Sequence, residues 1–443
     1  MNPEFVAVAM FGTLFLVLFM GHPLAFSLGA VAVLFGLLGW GGSPDQIFGI
    51  FANKTYGVME EYVLVAVPLF IFMAQMLDAS GVAEKLFHTM HVLWGRVRGG
   101  LAIAVIMVCT VFAASTGVVG ATEVAIGLLA APNLLKRGYD IPMTAGCICA
   151  GGTLGILIPP SIMLVVYGGL TNISVGKLFA AAMLPGLMLS SLYIIYVAVR
   201  CGINPEMGPP LPKEERTHSA KQKLVMVFTS LIPPMFLILM VLGSIVAGVA
   251  TTTEAAGLGA IGAMLLALAY GRLTWEAIVD SATATMKITC MVMVLFLGGN
   301  AFQSIFMGLG GGDAVSSVLL GLEVSPYVVL FIMMGIVFFL GMFIDWLGIL
   351  LIVIPVFTPV AQELGFDPLW FGTLICVNLQ MAFLTPPFGY SLFYLRGIAP
   401  PEMTMGLIYK GVIPFICLQW IGLIACITYQ PLIMYLPTAL FGE

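Results

Sequence analysis

The chain has 443 residues, of which 61% are hydrophobic and only 8% charged, with a formal net charge of −5. Ordinary soluble domains carry about 25% charged residues, so the composition excludes a soluble globular fold and places an all-α polytopic protein in the lipid bilayer. No basic cluster supports a nucleic-acid partner. The eight cysteines are scattered through apolar runs, which argues for packing rather than a disulfide framework or a zinc site. No GxxxxGK[ST] loop points to ATP.

Spans at about 5–21 and 24–40 meet at His22-Pro23. No basic n-region precedes the first run, so it reads as a retained span rather than a cleaved signal. A polar loop with Asp45, Lys54, Glu60 and Glu61 leads to a span over about 62–77. Residues 82–98 set Glu84, Lys85, His88, His91, Arg96 and Arg98 among Leu86, Leu93 and Trp94, the pattern of an amphipathic helix in the interface. His88 and His91 fall at i, i+3, but nothing nearby completes a metal-ligand set, so they read as a solvated face.

The next apolar stretch, 101–135, is interrupted at Ala114-Ser115-Thr116-Gly117-Val118-Val119-Gly120-Ala121-Thr122-Glu123. Each arm is about 14 residues, short of the ~20 a spanning helix needs. Arg96 and Arg98 before it and Lys136 and Arg137 after it put both ends on the cytoplasmic side. Together these predict a re-entrant hairpin, allowed only where protein or a watery cavity covers the tip. The run 141–170 contains Gly151-Gly152-Thr153-Leu154-Gly155-Ile156-Leu157-Ile158-Pro159-Pro160-Ser161. A continuous helix cannot pass two adjacent prolines unbroken, so this is a broken membrane helix. A return span (178–199) leads to the polar, proline-rich segment around 201–223, with Arg200, Lys213, Arg216, Lys221 and Lys223, read as a cytoplasmic linker.

Spans near 224–242, 254–270 and 286–306 follow, with Glu254 reading as a helix cap behind Thr252 or Thr253. After an arm at 308–323, a second hairpin is predicted over about 327–357, broken at Gly341-Met342-Phe343-Ile344-Asp345-Trp346-Leu347-Gly348. A second broken helix over about 369–395 carries Leu384-Thr385-Pro386-Pro387-Phe388-Gly389-Tyr390, and a last span covers 406–428.

These parts repeat. Pro159 and Pro386 stand 227 residues apart (386 − 159), and the same shift carries Pro132 onto Pro359, Gly138 onto Gly365, Tyr139 onto Phe366 and Asp140 onto Asp367. Pro185 meets Pro414 after a two-residue insertion. Lys136 lands on Glu363, so the matched turns carry opposite charge. The positive-inside rule then puts them on opposite faces, the signature of an inverted repeat. The chain divides into a first repeat (1–200), the linker (201–223) and a second repeat (224–443), with both termini periplasmic.

Ionisable residues at membrane depth are expensive and functional by default. Asp345 is the best example; Glu123 is comparable, with a surface position facing a cavity equally open. No basic residue lies near Asp345 in either repeat's core, which leaves a bound cation or a proton as its partner. Ser115, Thr116, Gly117 and Thr153 in the first half, and Gly341, Asp345 and Thr385 in the second, offer oxygens at chain breaks that suit a hard cation such as sodium. Half-helix N-termini would face an anionic substrate, along a pathway of Gly152, Gly155, Pro159, Pro160, Ser161, Asn378, Pro386, Pro387 and Gly389. Asn378 has a helix–helix hydrogen bond as its alternative role. The residues thus describe an ion-coupled carrier of anions. An intramembrane aspartyl protease using Asp140 and Asp313 would leave the duplication unexplained. A passive channel would not need two matched broken helices.

The stretches Leu134-Leu135-Lys136-Arg137-Gly138-Tyr139-Asp140, Gly152 to Ser161, Thr253-Glu254-Ala255-Ala256, Gly341-Met342-Phe343-Ile344-Asp345 and Thr385-Pro386-Pro387 with Gly389 resemble the large membrane subunit of the tripartite ATP-independent periplasmic (TRAP) transporters, the DctM-type subunit, over essentially the whole chain. The resemblance implies an elevator-type sodium symporter of the bacterial inner membrane, with no cofactor beyond the coupling ion Na+. It also implies a small four-helix membrane partner, a periplasmic substrate-binding protein and an organic acid substrate such as a C4-dicarboxylate or sialic acid; a stand-alone anion symporter is the alternative. Two departures stand out. The first tip reads Ala114-Ser115-Thr116-Gly117-Val118-Val119-Gly120 where many members have a Ser-Gly-Ser-type tip, and Trp346 follows Asp345 where proline is common.

Overall fold

Backbone polar groups in hydrocarbon must be satisfied within the chain, and the helix does this locally. The computed structural model describes residues 3–40, 42–117, 119–212 and 218–442, with backbone alone at positions 3, 115, 116 and 121, and every regular element among them is a helix. The first half holds α1 (Pro3–Phe19), α2 (Leu24–Gly39), α3 (Pro44–Glu60), α4 (Ala66–Ala79), α5 (Val82–Trp94), α6 (Gly100–Thr116), α7 (Val119–Lys136), α8 (Ile141–Thr153), α9 (Ile162–Thr171) and α10 (Val175–Ile203). The second holds α11 (Ala220–Ser230), α12 (Ile232–Val246), α13 (Thr252–Ala269), α14 (Trp275–Gly308), α15 (Gly311–Leu320), α16 (Pro326–Gly341), α17 (Trp346–Glu363), α18 (Pro368–Ala382), α19 (Tyr390–Ile398), α20 (Met405–Thr428) and α21 (Pro431–Phe441). Seven helical segments among the described residues are long and apolar enough to cross a membrane. One of the seven is α17, the second arm of the second hairpin, whereas the halves of the broken helices are shorter.

The duplication reaches every level of this architecture. A shift of 227 carries both ends of α7 onto both ends of α17 (119 to 346, 136 to 363) and the start of α8 onto the start of α18 (141 to 368). Asp140 and Asp367 do the same work, accepting from the Met143 amide at 3.0 Å and the Trp370 amide at 2.9 Å. An N-cap of this kind satisfies donors the helix cannot. Packing is reciprocal as well. Helix α2 lies on α14 and α13 on α4; α8 lies on α20 and α18 on α10; α7 lies on α19 and α17 on α9. Contacts that swap between halves in this way define a two-fold relation. The axis is visible in one hydrogen bond: Gln380 Nε2 donates to Thr153 Oγ1 at 3.4 Å, and these residues are each other's counterparts, 227 apart. Close approach of α8 to α20 rests on Gly146 and Gly411, where a Cβ would run into the facing backbone.

Some expectations change. The polar loop at 45–61 is largely α3, because Ser43-Pro44-Asp45 is a helix start, with Pro44 at the first position and Asp45 in the first turn. Pro68 then sits in the first turn of α4, where its missing N–H costs no helical hydrogen bond. In the second half the corresponding stretch has no proline and runs as the single 34-residue α14. The span expected at 224–242 is two helices, α11 and α12, restarted at Pro233-Pro234. Glu254 does cap, but with Thr251 rather than Thr252 or Thr253. Glu254 Oε2 accepts from the Thr251 amide at 2.7 Å, and Thr251 Oγ1 accepts from the Glu254 amide at 3.3 Å, the two halves of a capping box. Helix α21, packed on α10, was not anticipated. Helix α5 is amphipathic as expected: Val82, Leu86 and Met90 are buried, while Glu84 pairs with Arg272 at 3.1 Å. Lys213 and Arg216 of the expected linker lie outside the described residues.

Candidate functional site

Each hairpin tip sits on the break of its own half. Helix α6 ends at Gly117, whose φ of +63° favours glycine. A Cβ there would come within 2.8 Å of the Pro160 carbonyl. In the second half Gly341 closes α16 against Ala382, in the last turn of α18, and Phe343 packs on Phe388 with ring centroids 6.2 Å apart. The breaks are alike: α8 tightens into a 3-10 turn at Leu154–Ile156, and both Pro-Pro bonds, Pro159-Pro160 and Pro386-Pro387, are cis.

Between the tips lies a cavity of about 530 Å³. One wall is α2 at 23–26 and α14 at 288–295; the other comes from both hairpins and both broken helices. Besides α2, which starts at Leu24 in the first wall, four helices begin at this cavity. Their first residues, Val119 of α7, Ile162 of α9, Trp346 of α17 and Tyr390 of α19, all line it. Each helix N-terminus carries roughly half a positive charge and unpaired N–H groups. Chain ends of the opposite sense are present too, at Gly117 after α6, Ile156 at the end of the 3-10 turn and Phe383 after α18. One volume therefore offers positive helix ends to an anion and carbonyl-rich ends to a hard cation.

Asp345 lines the cavity and is the N-cap residue of α17. Its carboxylate therefore sits at the positive end of a helix, a compensation that the sequence reading, which weighed a basic residue, a bound cation and a proton, did not consider. Gly117 also lines the cavity. The side chains of Ser115 and Thr116 lie outside the described residues. The remaining expected residues stand behind the wall. Thr153 Oγ1 donates to the Ala150 carbonyl at 2.9 Å and sits on the two-fold axis against Gln380, away from Thr385, whose own hydroxyl donates to the Met381 carbonyl at 2.7 Å. Ser161 Oγ donates to the Ile156 carbonyl, and Gly155, Pro159 and Pro160 are buried. Pro386 is half-buried, Pro387 is exposed with its carbonyl accepting from Tyr409 at 3.3 Å, and Gly389 turns the chain into α19. Asn378 does not reach the cavity: its amide donates to the Met334 carbonyl at 2.7 Å and joins α18 to α16, so its helix–helix alternative holds. Gly152 makes room for Glu123. The reason is common to all of these. Glycine and proline break the helix, but it is the first residue of the next helix that faces the opening.

Sequence reasoning missed Gln380 and left Glu123 open. The 227 shift could have flagged both, since Gln380 falls on Thr153 and Glu123 falls on Leu350.

Two halves with tip-on-break hairpins, facing one cavity and built of apolar helices, define a multi-pass membrane carrier. Residues 11–433 match the family described as "Tripartite ATP-independent periplasmic transporter, DctM component". A relative from Pseudomonas aeruginosa, the C4-dicarboxylate TRAP transporter large permease protein DctM, is 34% identical over 88% of this chain and 89% of its own length. The ectoine/5-hydroxyectoine TRAP transporter large permease protein UehC of Ruegeria pomeroyi is 31% identical over 99% of this chain and 100% of its own length. Among solved structures, the Alcanivorax borkumensis YdaH transporter shares the fold, with a TM-score of 0.65 at 16% identity, covering 95% of this chain and 99% of that one. The chain belongs to the TRAP transporter DctM family of large permease components.

Proposed function

We propose that this chain is the large permease subunit of a sodium-coupled, binding-protein-dependent secondary transporter that imports an organic acid, a C4-dicarboxylate or another carboxylate, across the bacterial inner membrane. The observation that carries this reading is the convergence of four helix N-termini on one cavity. Such ends bind anions without a fixed cationic side chain. Sodium would bind at the chain breaks: in the first half at Gly117, beside the Pro160 carbonyl, with Ser115 and Thr116, and in the second half at Asp345 with Gly341. The hairpins and broken helices form the moving body, and α1–α5 with α12–α15 form the scaffold of an elevator. A small four-helix membrane subunit and a periplasmic binding protein complete the system, a reading supported by relatives named as TRAP permeases and by a related chain named DctMQ.

The test is uptake into liposomes holding this chain with its small subunit, driven by a sodium gradient and supplied with loaded binding protein. Uptake that requires both the gradient and the binding protein is expected. Uptake without the binding protein would favour the stand-alone symporter. Asp345→Asn keeps the side-chain shape and removes the charge; sodium activation of initial uptake should weaken strongly. Unchanged sodium affinity with normal maximal uptake would remove Asp345 from the site.

A further inference from the structure

Glu123 lies on α7, one helical turn beyond Gly120 of the cavity wall, and both it and Ser391 of α19 are fully buried. Ser391 Oγ donates to Glu123 Oε1, while Oε2 has no partner. The titratable groups facing the carboxyl are Cys109 of α6, Cys149 of α8 and Tyr394 of α19; among the described residues no Lys, Arg or His side chain pairs with it. Gly152 of α8 is pressed against the Glu123 side chain, and a Cβ there would overlap it.

The molecule contains its own control. The contact of α7 with α19 recurs as that of α17 with α9. Under the 227 shift Glu123 becomes Leu350 and Ser391 becomes Leu164, both fully buried. The same interface is therefore built once from leucines and once around a carboxyl. Packing alone does not call for the carboxyl, and an ionised, unpaired one there would be strongly destabilising. A hard cation would need a shell of several oxygens, but the carboxyl does not line the cavity and is wedged against Gly152. A proton needs no shell.

We propose that Glu123 is a proton-binding site, occupied while α7 is seated on α19, with Ser391 as its positioning residue, and that it releases the proton when this interface opens to the cavity. The step is simple acid dissociation, COOH to COO⁻ and H⁺, with water in the cavity as acceptor. The ring of Tyr394 lies against Gly120 and lines the cavity, so it stands between the carboxyl and that water.

Infrared difference spectra of the purified full chain in lipid, wild type against Glu123→Gln, test the protonation without substrate or sodium. A buried carboxylic-acid C=O band present in wild type and missing in the variant is expected. Loss of a carboxylate band instead would overturn the proposal. Should Glu123→Gln fail to fold, Ser391→Ala serves: removing the donor should move the C=O band to higher frequency, and an unmoved band would overturn the pairing. The pH profile of uptake in liposomes then tests release. Glu123→Gln should alter the profile, and a superimposable profile would overturn the release step. Because the spectra need no transport, failure here is separable from failure of the sodium-coupled reading.

Discussion

Helices α9 and α19 are one element written twice, yet the structure treats them differently. From Ile162 to Gly168, α9 is buried without interruption, and Pro159 and Pro160 before it are buried too. In α19 only Ser391, Leu392 and Leu395 are buried; Phe393 and Tyr394 are exposed, as are Pro387 and Phe388 ahead of it. Tyr167 and Tyr394 occupy the same position, 227 apart, the first fully buried and the second 43% exposed. A duplicated sequence fixes which elements exist and how they pair, but it leaves the two breaks free to differ in access. That freedom is what alternation between two faces requires.

The sharpest way to break this comparison is to place one cysteine at each of two matched positions, Ser161→Cys and Phe388→Cys, in a background without native cysteines. Phe388→Cys should react readily with a soluble maleimide and Ser161→Cys should be protected, close to an all-or-none difference. Equal labelling would show that the asymmetry is not a property of the protein in lipid. If conditions that favour the opposite face are found, the two reactivities should exchange.

A second pair measures energy. Tyr167→Ala removes a fully buried ring that packs against Gly372 and should cost about 3–5 kcal/mol, read as a lower unfolding temperature in detergent. Tyr394→Ala removes a half-open ring; it should cost stability much less and reduce uptake through the cavity it lines. Similar losses of stability in both would mean the two arms are equally packed.

The smallest effect concerns what the halves share. Asp140→Ala and Asp367→Ala each remove one N-cap and should each cost about 1 kcal/mol, with the two losses alike. Unequal losses would show that the caps, unlike the helices they start, have taken different roles.

Local chemistry made the breaks, the hairpins and the duplication legible in the sequence. A proline has no N–H wherever it sits; single ones such as Pro132 and Pro355 stay inside their helices, but the pairs Pro159-Pro160 and Pro386-Pro387 fall where helices break. Asp140 and Asp367 cap because they stand three residues before a free amide of their own helices. The 227 shift needs only counting. What the sequence withheld depends on residues far apart in the chain. Glu123 meets Ser391 across 268 positions, and Thr153 meets Gln380 across 227. The four helix starts converge only once the two halves are folded against each other. Asp345 looked unpaired because a helix N-terminus is not a residue and leaves no letter in the sequence. The difference between α9 and α19 is likewise a choice among packings open to the same pair of segments, and tertiary contact, not local propensity, makes that choice.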